Sequence, residues 1–406
     1  MINSLKVRKG LCEIDLKEIL YLLFVISIQC TYYFKGSISI PIKLVLATFL
    51  IFLSRYVRVN FFLKWSVCMV LVSILSAIFA SFNNYAIDGI LKVSLAYLTG
   101  VIIVMYNNNL KDIKRTLKYL IIGGILYFVM VLFSQGIVSV FTIGITGAYT
   151  NGTSINYTYV SIPLAVLVSW MLSKEIKPST LILFCFVTLM NLVSTKRKAS
   201  LIPFIALVMF FVFKNGIKFK PKVVFRMVIG VLLFSCFLVF SIQNEWAYDT
   251  YGYRIYGLIS YFTNNADVTE GSVKSLITRS SLKSIAWDNF LYRFPFPIGI
   301  GNFAMLSIYP HAHNNYLELL LTLGVLGFVA YYSIYVYLFC KAWSIKNQSV
   351  GVLVIVFLFL NLILDFSTTS YWNLVSVSYL GLMYSIVLKT PKLTVENGNL
   401  DNGEQK

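Results

Sequence analysis

The sequence predicts an all-α, polytopic integral membrane protein, and three observations predict it. Residues of the set AVILMFWYC make up 58% of the 406 residues and charged residues only 12%, whereas a soluble domain carries about 25% charged residues. The mean hydropathy is +0.78. The apolar residues are gathered into about twelve long stretches, each close to the roughly 20 residues that a bilayer-spanning helix needs.

These stretches lie near 18–34, 37–53, 65–82, 86–106, 117–138, 156–173, 179–194, 199–213, 224–241, 316–340, 349–364 and 371–388. The first is followed by Tyr32-Tyr33-Phe34-Lys35 with no small-residue cleavage site, so it reads as a retained span. Basic residues mark alternate turnarounds. Lys6, Arg8, Lys9 and Lys17 precede the first stretch, Arg55, Arg58 and Lys64 follow the second, and Lys111, Lys114, Arg115 and Lys118 follow the fourth. Similar groups follow the sixth, eighth, tenth and twelfth, so that 23 of the 34 basic residues fall on one side. The positive-inside rule then places the N-terminus and that side in the cytoplasm. The net charge of +18 is spent mostly on orientation and needs no nucleic acid to explain it.

Residues 1–388 read as one transmembrane domain, and 389–406, rich in Asn, Gly and charge, as a disordered cytoplasmic tail. The six cysteines are scattered in or beside apolar stretches with no CxxC pair, which suits small buried residues rather than disulfides or zinc ligands. Neither an internal repeat nor paired Gly/Pro-broken spans of the inverted-repeat transporter type are present.

Two features of the outer side depart from the charge rule. Ser194-Thr195-Lys196-Arg197-Lys198 places three consecutive cations in a short turnaround, where charge is kept for an anionic ligand or for a structural partner. Between the ninth and tenth stretches lies a large extracytoplasmic loop, about 242–315, with Arg254, Lys274, Arg279, Lys283 and Arg293. Loops longer than about 60 residues escape the rule, but one this long is a candidate functional element.

Both histidines of the chain fall in Tyr309-Pro310-His311-Ala312-His313-Asn314-Asn315-Tyr316-Leu317-Glu318. Asn315 followed three residues later by Glu318 has the capping-box pattern and is expected to start the tenth helix. His313 then sits just before a helix N-terminus, whose positive end disfavours imidazolium and keeps the ring neutral, as a general base near pH 7 must be. A metal is the competing reading of HxH, but zinc takes three or four protein ligands. The chain has no third histidine and no loop cysteine, and the nearest carboxylates are Glu318 and Asp288. No cofactor is expected.

Other chemistries lack their motifs: there is no DxD pair, no phosphate-binding P-loop and no G-x-S-x-G elbow. Gly299-Ile300-Gly301 lacks the third glycine and the βαβ setting of a dinucleotide site, and reads as a turn returning the loop to the membrane. The residues instead ask for a lipid-attached anion and a hydroxyl that loses its proton. Arginine binds phosphate bidentately, and a polyprenyl diphosphate in the bilayer would hold its phosphates at the level of Arg197. The loop aromatics (Trp246, Tyr248, Tyr251, Tyr253, Tyr256, Trp287 among them) suit either sugar stacking or an interfacial belt.

At this point the chain resembles the bacterial O-antigen polymerase and O-antigen ligase superfamily of polytopic glycosyltransferases. The similarity runs from Thr278-Arg279-Ser280 through Trp287 and Pro295 to Gly301 and Phe303. It continues through His311-Ala312-His313-Asn314-Asn315-Tyr316-Leu317-Glu318 to Leu323-Gly324-Val325-Leu326-Gly327-Phe328. A weaker match covers Ser194–Ser200, where this chain has Lys198 in place of the family's small residue after the arginine; the first 190 residues match only in topology. The resemblance implies that Arg279 and Arg197 bind the diphosphate of an undecaprenyl-linked oligosaccharide and that His313 activates the acceptor hydroxyl, without metal or nucleotide sugar. Lys196, Lys198, Arg254, Arg293, His311, Asn314 and Glu318 complete the expected substrate-binding set. It further implies a multi-pass protein of the bacterial plasma (inner) membrane with its site on the periplasmic or extracellular face, and membrane lipid, a chain-length regulator and a flippase as partners. The products would be O-antigen lipopolysaccharide, capsule or a related polymer. A ligase passing a finished glycan to a different acceptor remains the alternative. A flippase of lipid-linked oligosaccharide is disfavoured, because few charges (Lys43, Lys92, Asp88 and Asp365) lie in or at the ends of the apolar stretches.

Overall fold

The computed structural model describes residues 16–33, 36–54, 59–136, 149–150, 153–154, 158–193, 197–215 and 271–401, with isolated positions between 236 and 256. Side chains are described for these except at 32, 36–37, 149–150, 153–154, 193, 197–198, 214–215, 271–276 and 391–401. In chain order the helices are α1 (Leu16–Gln29), α2 (Gly36–Leu53), α3 (Phe61–Ala77), α4 (Asn83–Tyr106), α5 (Leu110–Gln135) and α6 (Thr158–Lys174). There follow α7 (Pro178–Val193), α8 (Arg197–Asn215), α9 (Gly271–Arg293), α10 (Asn315–Ser344), α11 (Ser349–Asp365) and α12 (Leu374–Asp401). Short 3₁₀ turns occupy Cys30–Tyr32 and Asn302–Met305, and a two-residue antiparallel pair joins Tyr149–Thr150 to Thr153–Ser154.

Apart from that pair, the described residues are helical or in turns, as the composition predicts. By length and composition, α4, α5 and α10 can each cross a membrane, and seven shorter apolar segments lie within α2, α3, α6, α7, α8, α11 and α12. Large apolar side chains project outward from the bundle, including Phe52 on α2, Leu91 on α4 and Phe133 on α5. A water-facing surface of that kind would be unfavourable, and a hydrocarbon-facing one is not. Asparagine caps start α3 and α5: Asn60 accepts from the Leu63 N–H and Asn109 from the Asp112 N–H, each at 2.9 Å.

Eleven of the apolar stretches coincide with helices, and the stretch at 224–241 lies outside the described residues except at isolated positions. Two departures stand out. The long connection contains α9, whose apolar residues recur at Leu282, Ala286 and Phe290 and bury one narrow face; a balance of apolar and polar residues hides it from a hydropathy scan. The tail expected to be disordered continues α12 as helix to Asp401, because each residue added to an existing helix gains a hydrogen bond without a new nucleation step. Its apolar part ends at Thr390.

The turns at the two ends of the bundle differ in character. One end gathers the start of α1, the α2–α3 and α4–α5 turns and the far part of α12 around a cavity of about 560 Å³. There Arg115 bridges Glu18 at 2.6 Å and Asp112 at 3.0 Å. The other end holds the α3–α4 turn, the start of α10 and the α11–α12 turn, and it carries the histidines. By the alternation of helix direction, the start of α8, with Arg197, belongs to this same end.

Candidate functional site at the start of α10

The segment leading into α10 is anchored from below. After α9 the chain turns at Pro295–Pro297 and inserts against a break in α10 at Gly324, which has φ 71° and ψ −175°. The break exchanges hydrogen bonds. Val325 N–H, which in a regular helix would donate to Leu321, donates to the Pro295 carbonyl (3.4 Å), and the freed Leu321 carbonyl accepts from Ile298 N–H (2.8 Å). An irregular backbone inside an apolar bundle persists only where protein groups re-satisfy it in this way. A side chain at 324 would meet the Pro295 carbonyl oxygen at 3.0 Å, so glycine is required both for the positive φ and for the close approach.

The chain then passes over the α3–α4 turn. Ile300 N–H donates to Ser76 Oγ (3.2 Å), and Asn302 Oδ1 accepts from Phe82 N–H (3.1 Å). Gly301, at φ 74°, lies so close to Tyr85 that a Cβ there would fall 2.3 Å from the Tyr85 carbonyl oxygen. From the other side α9 lays Leu282, Ala286 and Phe290 against Ile298, Phe303, Ala312 and Leu321, closing a second small core under the histidine tripeptide.

Ala312 points into that core, and the flanking His311 and His313 point away from it. Their rings are 6.3 Å apart at 85°. His313 has φ 52°, a left-handed conformation that non-glycine residues adopt rarely and that histidine, asparagine and aspartate tolerate best. Such strain persists where the surroundings over-determine it, and here the next residue is the helix cap. The cap is Asn314, whose side chain accepts from Leu317 N–H at 3.1 Å. The expected capping box at Asn315 is therefore corrected by one residue, because the Asn315 side chain is engaged elsewhere.

Asn315 is completely buried. Its Oδ1 accepts from the backbone N–H groups of Ser370 (2.8 Å) and Tyr371 (3.1 Å), and its Nδ2 donates to Asp365 Oδ2 (3.2 Å) and lies 3.1 Å from the Tyr332 hydroxyl. Asp365, 1% exposed, also accepts from the Tyr332 hydroxyl at 2.8 Å and the Ser370 hydroxyl at 2.5 Å. A carboxylate buried among apolar helices is tolerable only with this many donors. The knot fixes the α11–α12 turn to the head of α10 and so brings Trp372 to His311, with ring centroids 5.3 Å apart. Sequence reading noted Asp365 only as a charge at the end of a span; Ser370, Tyr332 and Trp372 gave no signal, because their partners are distant in the chain.

Glu318 is also fully buried, and its Oε2 accepts from the Ala312 N–H at 2.6 Å while Oε1 has no hydrogen-bond partner. It holds the tripeptide from beneath, and Asn314, 6% exposed, caps the helix that follows.

Compared with known proteins, the chain matches no family model and no curated sequence. The site must be read from its own geometry.

Among the remaining expected residues, Arg279 and Arg293 are exposed on α9, with Arg279 one turn before the buried Leu282. Arg197 begins α8, but its side chain and that of Lys198 lie outside the described residues, as do Lys196 and Arg254 altogether. Lys92 of α4, paired with Asp88 and read in the sequence only as a charge in a span, reaches the same turn: its ammonium lies 5.7 Å from the centre of the Trp372 ring that packs on His311. Among the described residues no three His, Cys, Asp or Glu side chains are grouped as metal ligands would be.

Burial, with the neighbouring Lys92 charge adding to it, pushes the His311 ring down to about 4. The Pro310 carbonyl opposes weakly, and no bond of normal geometry reaches Nδ1. His311 is thus neutral at pH 7. Its ordinary value is 6.5, so between that pH and about 4 the unfolded chain binds the extra proton, and the stability His311 contributes is lost as pH falls through that window. The charged group that acts on it is Lys92, paired with Asp88, and the His313 ring lies 6.3 Å away. Thermal unfolding of the wild type from pH 7.5 to 4 is expected to show this loss, and His311→Gln is expected to flatten it; identical pH profiles would contradict the burial assigned to the ring.

Proposed function

We propose that the chain is a glycosyltransferase of the plasma membrane that joins undecaprenyl-diphosphate-linked oligosaccharides into a surface polysaccharide. The observation that carries this reading is the presentation of the only two histidines of the chain at one end of an apolar bundle, on a turn held by Glu318 and the Asn314 cap, with the Lys92 cation of α4 over the Trp372 ring that packs on His311. In this reading twelve spans are oriented with the N-terminus inside, and the histidine end faces outward. The charge distribution of the turnarounds supports that orientation.

The reaction needs two things from the protein. His313 takes the proton from an acceptor sugar hydroxyl as that oxygen bonds to the anomeric carbon of the donor. The bond from that carbon to the diphosphate oxygen breaks, and its electron pair leaves with undecaprenyl diphosphate. Arg279 and Arg197 stabilise the charge growing on the leaving group, the kind of preorganised electrostatics that is often the largest single contribution. His311, neutral and packed against Trp372, offers a hydrogen-bonding group beside His313 without adding charge.

Purified protein in nanodiscs, given an undecaprenyl-diphosphate repeat unit, is expected to produce a ladder of longer glycans that persists in EDTA. No elongation with any lipid-linked oligosaccharide would refute the proposal, loss of the ladder in EDTA would refute its metal-free form, and transfer of one preformed glycan to a different acceptor would mark the ligase.

A further inference from the structure

Lys92 and Asp88 sit one turn apart on α4, joined at 2.5 Å, with side chains 50% and 60% exposed. On its own, an exposed pair of this kind contributes little to stability, so stability gives no reason for its place. Its surroundings do. The Lys92 ammonium rests over the Trp372 ring, and Trp372 is held from behind by stacking on Tyr371 (4.9 Å, 24°) and edge-on by His311 (5.3 Å). Tyr371 and Trp372 belong in turn to the turn that Asn315 ties to the head of α10. A flexible lysine is thereby given a fixed seat, through a cation–π contact, on the same scaffold that fixes the histidines. Its positive charge is felt at His311. Asp88 is the one carboxylate paired with it among the described residues, and being exposed it can turn away into water at little cost.

We infer that Lys92 is an anion-binding residue of the candidate site, contributing a third point of attachment for the diphosphate of the lipid-linked substrate, with Asp88 as the internal counter-ion that occupies it in the empty site. This rests on the proposed function for the identity of the anion, not for the existence of the site. Lysine suits the role because a compact ammonium with three donors follows phosphate oxygens as they move from substrate to leaving group, whereas the arginine fork fixes one geometry. Asp88 lowers the affinity of the empty site for stray anions and exchanges its partner when a doubly charged group arrives, a trade of one exposed ion pair for a stronger one.

The test is direct binding of undecaprenyl diphosphate to the purified chain in nanodiscs, measured by calorimetry beside glycan synthesis. Lys92→Gln is expected to weaken binding about tenfold, the equivalent of one charge-assisted contact, Lys92→Arg to retain most of it, and Asp88→Asn to tighten it several-fold. Asp88→Asn keeps Lys92 and its seat intact, so a gain of affinity there is a result that damage to the fold does not produce. Equal affinity in Lys92→Gln and wild type, no binding to wild type, or weaker binding in Asp88→Asn would each overturn the assignment. Displacement by methyl glucuronoside, in the absence of displacement by inorganic diphosphate, would overturn it as a diphosphate contact and point to a sugar carboxylate. Glycan synthesis reports on the function independently: a ladder with Lys92-independent binding removes this inference alone, whereas Lys92-dependent binding without any ladder removes the function and leaves the anion site.

Discussion

His313→Asn is expected to reduce glycan synthesis by about 10²–10⁴-fold, the usual contribution of a positioned general base, while leaving the protein folded. Asparagine is the substitution of choice because position 313 has φ 52°, which asparagine tolerates nearly as well as histidine and alanine does not. The replacement removes the basic nitrogen and preserves the turn. His313→Ala mixes the two effects, since it adds backbone strain beside the Asn314 cap. Synthesis near the wild-type rate in His313→Asn would remove His313 from the chemistry. Loss in the alanine variant alone would show that the turn, and not the imidazole, matters.

The largest expected effect on stability comes from Asn315. Replacing it by leucine, of similar size, leaves the N–H groups of Ser370 and Tyr371 without their acceptor and takes one donor from the buried Asp365 carboxylate. Breaking a buried charged network by removing one member costs roughly 3–5 kcal/mol, and the loss falls on the contact between the head of α10 and the α11–α12 turn. Asn315→Leu should therefore lower the thermal midpoint and, below it, free Trp372 from His311, so that tryptophan emission changes before the helices melt. The double variant Asn315→Leu/Asp365→Leu leaves the Ser370 and Tyr371 N–H groups unpaired but removes the buried charge that had lost a donor, and should recover part of the lost stability without recovering activity. A single variant as stable as the wild type would mean that the network is not the lock it is taken to be.

The apolar stretches were legible because a membrane imposes one rule on every residue of a span, and hydropathy alone locates α1 to α8 and α10 to α12, though α5 begins at Leu110, ahead of its stretch, and α12 runs beyond its own to Asp401. α9 follows another rule. Its buried stripe Leu282–Ala286–Phe290 has helical spacing but is too narrow to raise the average over a window, and only a search for that spacing would have found it. The histidine tripeptide was legible by composition, as the one place with both histidines. The cap beside it was not, because Asn314 and Asn315 are equally good caps by type, and the choice between them is made by Ser370, Tyr371 and Asp365, fifty or more residues away. Lys92 and Asp88 were visible as charges, but their neighbours Trp372 and His311 come from a different part of the chain.

The lock between Asn315 and the α11–α12 turn also has a consequence in time. During synthesis α10 emerges with its tripeptide well before Asp365, Ser370 and Tyr371 exist, and until they do the head of α10 has neither its buried acceptor nor the tryptophan that seats Lys92. The histidine turn therefore reaches its final form only when the last pair of helices has docked. A chain stopped short of α11 would present both histidines without the contacts that hold their turn in place.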